Sequence, residues 1–190
     1  MIADYPELIA EVSHRSKRSD VVNRAAMYVG LAERMLSKRL RLSEMLAEVE
    51  ATTDSSGLAD LPDGYQEMKT VTVHDCELRR RPLNLILTKA KAGYAIQARK
   101  IKSSFRSTPH QLVYFGAVPS LEANNTTWLL DLEPELYIQA VLFQIYTGNN
   151  EIEQAQATAG YLSGLIDDAN DADAAARHSG TVVSLGGNTP

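Results

Sequence analysis

Cysteine is almost missing from this 190-residue chain, with Cys76 its single example. One thiol can form neither an internal disulfide nor a cysteine zinc site, which suits a reducing compartment or one indifferent to redox state. Long apolar runs are missing too. The longest, Leu136 to Tyr146, is about half of the roughly 18 to 20 residues that span a bilayer, so no membrane partner is expected. The start, Met1-Ile2-Ala3-Asp4, lacks a basic segment followed by an apolar one, which argues against a secretory signal. Ligand-like spacing is also missing. The four histidines, at 14, 74, 110 and 178, are scattered. Asp168 to Asp173 is acidic enough for calcium but has neither the sixth-position glycine nor the distal glutamate of an EF-hand. His74-Asp75-Cys76 are neighbours in sequence, which does not make a catalytic pair. Neither a glycine-rich phosphate loop nor Gly-x-Ser-x-Gly occurs. No catalytic residue, cofactor or metal is therefore expected. A hydrolase built on two distant carboxylates leaves no sequence signature and stays open as an alternative.

What is present is a core and a segregated charge. Hydrophobic residues make up 44% of the chain, enough for a folded domain of this length. The net charge of −5 hides three blocks. Residues 1–76 carry 9 Lys/Arg and 13 Asp/Glu; residues 77–106 carry 9 Lys/Arg and Glu77 alone as an acid; residues 107–190 carry Arg177 alone against 10 acids. Blocks of this kind bear on partners rather than on fold.

Periodicity divides the chain. Tyr5, Leu8, Ile9 and Val12 fall at helical spacing behind Asp4 as N-cap and Pro6 in the first turn. Asp20 is expected to cap a longer helix whose apolar face is Val22, Ala25, Ala26, Val29, Ala32, Leu36 and Leu40. Turn chemistry follows at Thr52 to Gly57 and at Leu61 to Tyr65. Lys69 to Val73 alternates like a half-buried strand with Val71 and Val73 inward. Further strands are expected over Glu77 to Leu87 (an edge, given Pro82), Tyr94 to Phe105 and Gln111 to Phe115, with Cys76 a half-buried strand residue. Helices return after Pro119. The run Leu136 to Tyr146 is apolar nearly all round, which predicts burial on several sides. Asn150 with Glu153 has the form of a capping box, ahead of a last helix that buries Ile152, Ala155, Ala159, Leu162, Ile166 and Ala169. The fold class is α+β, mainly helical: helices at 1–43 and 119–173 form a bundle, 44–118 is an inserted antiparallel β region, and 174–190 is a flexible tail.

Several of these segments, taken in order, resemble those of tailed-phage head–tail adaptor (connector) proteins. The residues concerned are Leu31 to Arg41, then Leu61-Pro62-Asp63-Gly64-Tyr65, then Val118-Pro119-Ser120-Leu121, then Asn125-Thr126-Thr127-Trp128-Leu129-Leu130, then Pro134-Glu135-Leu136-Tyr137. Their order and spacing carry the resemblance; Arg79 to Arg106 and the chain beyond His178 match poorly. The resemblance implies a structural virion neck protein made in the host cytoplasm. It implies a ring, usually dodecameric, beneath the portal protein, which extends the DNA channel without binding DNA specifically and presents a surface to the next neck or tail protein.

Within that frame, residues acquire candidate roles. Glu151, Glu153, Asp167, Asp168, Asp171 and Asp173 are candidates for the channel wall, where carboxylates would repel passing DNA; the plainer reading is a solvated helix face. Arg79, Arg80, Arg81, Arg99, Lys100 and Lys102 are candidates for a protein contact, against a solvated or charge-protected β surface and a DNA-binding module as alternatives. His178, Val182, Val183 and Leu185 are candidates for the portal contact. Trp128 is read as core packing.

Overall fold

A computed structural model describes residues 2–88 and 90–178. In chain order the elements are α1 (Tyr5–Ser16), α2 (Ala25–Arg39), β1 (Leu46–Thr52), β2 (Leu58–Asp60), β3 (Glu67–Val73), β4 (Cys76–Glu77), α3 (Leu83–Leu87), β5 (Tyr94–Gln97), β6 (Lys100–Ser103), β7 (Pro109–Phe115), α4 (Leu121–Asn124), α5 (Trp128–Leu132), α6 (Pro134–Gly148) and α7 (Ile152–His178). The class is α+β and mainly helical. The described residues of Met1–Ser43 and Pro119–Pro190 form one compact unit, and Glu44–Val118 forms a second.

The helical unit is organised by α6, which lies against α1, α2, α5 and α7. That position explains its unusual sequence: Leu136, Tyr137, Ile138, Ala140, Val141, Leu142 and Ile145 are all buried, on more than one side of the helix. Each large apolar side chain so buried contributes about 1.5–3 kcal/mol. The Asp4 carboxylate accepts from the Glu7 N–H at 3.0 Å and starts α1, which buries Leu8, Ile9 and Val12. Thr127 caps α5 through the Leu130 N–H at 3.3 Å.

Three expectations for the helices need correction. Asp20 does not cap α2; Asp20–Arg24 is a 3-10 turn, Asp20 pairs with Arg18 at 3.0 Å, and α2 starts at Ala25. The tighter turn rotates the preceding residues off the apolar stripe, so Val22 is 61% exposed; Ala26 is exposed as well. Asn150 does not stand at the N-cap position of α7. It sits in the left-handed region at φ 59°, and α7 begins after Glu151, whose carbonyl accepts from the Ala155 N–H. Along α7, Leu162 and Ile166 are buried, Ala155, Ala159 and Ala169 half-buried, and Ile152, at the very start, exposed. Residues 174–178, expected in the tail, continue α7, which runs to His178; residues 179–190 lie outside the described residues. The last turns of α7 are alanine-rich, the best helix formers, and carry an Asp173–Arg177 ion pair at 2.7 Å.

The β unit holds two antiparallel sheets, in strand orders β1-β7-β3-β4 and β2-β6-β5. Inward residues of both share one core of Leu61, Val71, Val73, Leu78, Tyr94, Ile101 and Leu112. Here too the structure departs from expectation. Over Glu77 to Leu87 the described β structure is Glu77, in β4, and an isolated bridge from Arg80 to Tyr94, and Pro82 precedes a short helix, α3, rather than marking a sheet edge. Cys76 is exposed, not half-buried. Tyr94 to Phe105 is no single strand. Ala98 and Arg99, at φ 48° and 61°, form the two-residue turn of a hairpin between β5 and β6. Gly57, at φ 82°, holds another turn, where an added Cβ would stand 2.5 Å from the Ser103 carbonyl oxygen.

Candidate functional site

Two polar devices order the helical unit. The first is a buried carboxylate. Glu33 lies on the inward face of α2, 8% exposed, and one of its oxygens accepts from the Leu121 N–H at 2.7 Å and from the Tyr137 hydroxyl at 2.5 Å. Burial pushes its carboxyl above the ordinary glutamate range, against the pull of those two donors. Burial, then the hydrogen bond to Glu33, pushes the Tyr137 hydroxyl far up as well. Leu121 and Tyr137, both in the resembling segments, are thus joined through a third residue. The sequence carried a signal for it: Glu33 sits among Val29, Ala32 and Leu36 on the apolar stripe, and a lone acid there calls for partners.

The second device is on α7. Asn170 Oδ1 accepts from the Arg41 N–H at 2.8 Å, and its amide donates to the Arg39 carbonyl at 3.1 Å. Asp173 Oδ1 accepts from the Ser43 N–H at 2.9 Å and from the Ser43 hydroxyl at 2.6 Å. Arg177 donates to the Arg41 carbonyl at 3.2 Å. These three side chains, at i, i+3 and i+7 on one helix face, bind the backbone that leaves α2. Asn170 drew no attention in the sequence because a single polar residue on a long helix has no distinguishing pattern.

In the β unit the four-stranded sheet turns an acidic face outward. Glu48 and Glu50 on β1 stand opposite Val113 and Gln111 on β7, Thr70 and Thr72 follow on β3, and Glu77 lies opposite Thr72 on β4. The one Lys or Arg on these four strands is Lys69, at a bulge. A concavity of about 500 Å³ on this face is lined by Glu48, Glu50, Thr72, His74, Asp75 and Gln111, among others. The three-stranded sheet is basic on its outer side. Lys100 and Lys102 alternate with the buried Ile101 and Ser103, and the Arg79–Arg81 segment runs beside Tyr94. Lys100 pairs with Asp60 at 3.0 Å and Lys102 donates to the Ser56 carbonyl. Among the described residues, Arg79, Arg80 and Arg99 are exposed and form no salt bridge, and the Nε of half-buried Arg81 has no hydrogen-bond partner.

The other sequence-derived candidates are distributed as follows. Leu61, Leu121, Leu129, Leu130 and Tyr137 are buried; Pro62, Tyr65, Trp128 and Pro134 are half-buried; Pro119 and Asn125 are exposed. Trp128 is thus only partly packed, and the full burial belongs to Leu129 and Leu130 beside it. Asn125 ends α4 at φ 63° and its carbonyl accepts from the Tyr5 N–H at 2.9 Å. Of the acidic candidates, Glu153, Asp167, Asp168 and Asp171 are exposed, whereas Glu151 pairs with Arg18 at 2.8 Å and Asp173 holds Ser43. His178 ends α7; Val182, Val183 and Leu185 lie outside the described residues.

Among the described residues no group of three or more His, Cys, Asp or Glu could hold a metal ion. No described helix is long and apolar enough to cross a membrane. One family model, described as SU10 adaptor protein, matches residues 3–184. No curated protein matches the chain.

Proposed function

The chain belongs to the SU10 adaptor protein family, and from that premise we propose that it is a head–tail adaptor of the virion neck. Its copies form a ring, dodecameric as is usual for such adaptors, beneath the portal protein. The ring extends the DNA channel and offers a surface to the next neck or tail protein. The observation that carries this reading is the match over residues 3–184, nearly the whole chain. The family points to a structural rather than a catalytic role, in a component of the virion.

The physical features are compatible with this work. The helical unit is tied by hydrogen bonds that link α2, α4, α6 and α7, which suits a part that must transmit load without rearranging. The carboxylates of Glu153, Asp167, Asp168 and Asp171 stand exposed on α7. On a channel wall they would keep DNA from adhering, since each phosphate bound would have to be released again during passage. The chain beyond Arg177, with His178, Val182, Val183 and Leu185, is assigned to the portal contact.

The test is electron microscopy of the purified chain mixed with its portal protein. Rings of the chain seated on the portal are expected. Deletion of residues 178–190 should abolish attachment while leaving the melting temperature of the chain unchanged. A chain that leaves the portal bare at high concentration would end the adaptor reading, and normal attachment of the deletion would end the tail assignment. Loss of a peptidoglycan-degrading activity on changing one carboxylate would favour the hydrolase instead. Strong, salt-sensitive affinity for free DNA would favour the DNA-binding module.

A further inference from the structure

The β unit carries opposite charge on its two outer sides. The two sheets share one core, so their outward residues point away from each other. One side presents Glu48, Glu50 and Asp75 around a concavity; the other presents Lys100 and Lys102 on β6, with Arg79 beside β5 and Arg99 at the hairpin tip both exposed and without ion pairs among the described residues. Two such sides of one molecule cannot meet each other. They can meet only between molecules.

We propose that the basic side of one copy's β unit docks on the acidic sheet face of the next copy, so that copies associate head to tail. This rests on the adaptor reading and names the contact between its neighbouring subunits. A contact between two different patches is heterologous, and repetition of it closes into a ring when the rotation per copy divides the circle. A symmetric pairing would set like charges against each other, acid on acid or base on base, and is disfavoured. The concavity is the receiving half: its three carboxylates line space of a size to admit arginine side chains. The exposed Arg99, at the tip of the β5–β6 turn, belongs to the inserted half.

A charge exchange tests this on the full chain. One variant carries Glu48→Lys and Glu50→Lys; the other carries Arg79→Glu and Arg99→Glu. All four positions are exposed, so circular dichroism spectra and melting curves should match the unaltered chain. Sedimentation velocity at low ionic strength should show concentration-dependent association of the unaltered chain that salt suppresses. Each variant alone should associate at least about tenfold more weakly, because like charges now meet. An equimolar mixture should regain association, since alternating copies restore opposite charges at every contact. Should a reversal unfold the chain, the Glu→Gln and Arg→Gln pairs replace it and should weaken association without unfolding. Variants that associate as the unaltered chain does overturn the proposal. So does a folded mixture that fails to recover, or an unaltered chain that remains monomeric at the highest concentration. Duplex DNA binding lost in the Arg79→Glu, Arg99→Glu variant with self-association unchanged overturns it as well. Rings that form on the portal with every variant would sink this contact and leave the adaptor reading standing; a portal left bare by the unaltered chain would sink the adaptor reading itself.

Discussion

The Glu33 carboxylate and the Tyr137 hydroxyl, 104 residues apart in sequence, meet at 2.5 Å inside the helical unit. Neither group could be buried there alone. An unpaired carboxylate in an apolar interior is costly, and so is a phenol with no acceptor. Together with the Leu121 N–H they close a polar centre that fixes how α2, α4 and α6 pack.

Replacement of Glu33 separates its hydrogen bonds from its charge. Glu33→Ala strands the Tyr137 hydroxyl and the Leu121 N–H and should cost about 2–4 kcal/mol. Glu33→Gln keeps an oxygen for both donors and should cost less than about 1 kcal/mol near neutral pH. Urea unfolding curves distinguish them; equal losses would show that charge, not acceptance, is what matters.

Glu33 and His110 should act in opposite directions on stability as the pH falls. The raised Glu33 carboxyl contributes most favourably below the ordinary glutamate pKa, and that contribution is lost as pH rises through its folded value. His110 is fully buried, its Nδ1 2.8 Å from the Thr108 carbonyl and its Nε2 2.7 Å from the Ser103 hydroxyl. A carbonyl only accepts, so Nδ1 carries the proton and Nε2 accepts from Ser103, which keeps the ring neutral. Burial holds its pKa below the ordinary histidine value. Its contribution is therefore complete above about pH 6.5 and lost as pH falls through the folded value. Hydrogen exchange on β6 and β7 should accelerate below that pH before exchange on α6 does. The reverse order would contradict the neutral imidazole.

Asp173 should behave as a structural residue. Asp173→Ala removes both bonds to Ser43 and the partner of Arg177, and should lower stability by about 2 kcal/mol. Asp168→Ala, on an exposed position of the same helix, should change it by less than about 0.5 kcal/mol. Thermal melts of the two variants check this contrast.

Gly57 allows no side chain. Gly57→Ala must force a Cβ to within 2.5 Å of a backbone oxygen in a left-handed conformation, so a loss of more than about 1 kcal/mol is expected. Unchanged melting would mean the turn can reshape freely.

The sequence made the helices legible where apolar spacing was continuous: α1, α6, and the Leu162 and Ile166 positions of α7. It misled where a local change of geometry intervened. Asp20 has the chemistry of a cap, yet a 3-10 turn takes its place, and Pro82 opens a helix where an edge strand was expected. Ala98-Arg99 has no turn signature of the Asn-Gly kind, so the β5–β6 hairpin was hidden. The charged blocks were visible as composition. Their separation onto two sides of the β unit was not, because it depends on sheet pairing between β1 and β7, some sixty residues apart in the chain.

The hold of Asn170 and Asp173 on Arg39–Ser43 also sets a timetable. A ribosome finishes residues 44–118 before it makes α6 or α7, so the β unit has all its strands while α2 still lacks the helix that covers it. The apolar stripe of α2 must wait through that interval, and the helical unit closes only when α7, the last described element made, reaches back some 130 residues to the first half of the chain. Chains interrupted before residue 170 should therefore carry a finished β unit on an open helical one, and be the species that aggregates.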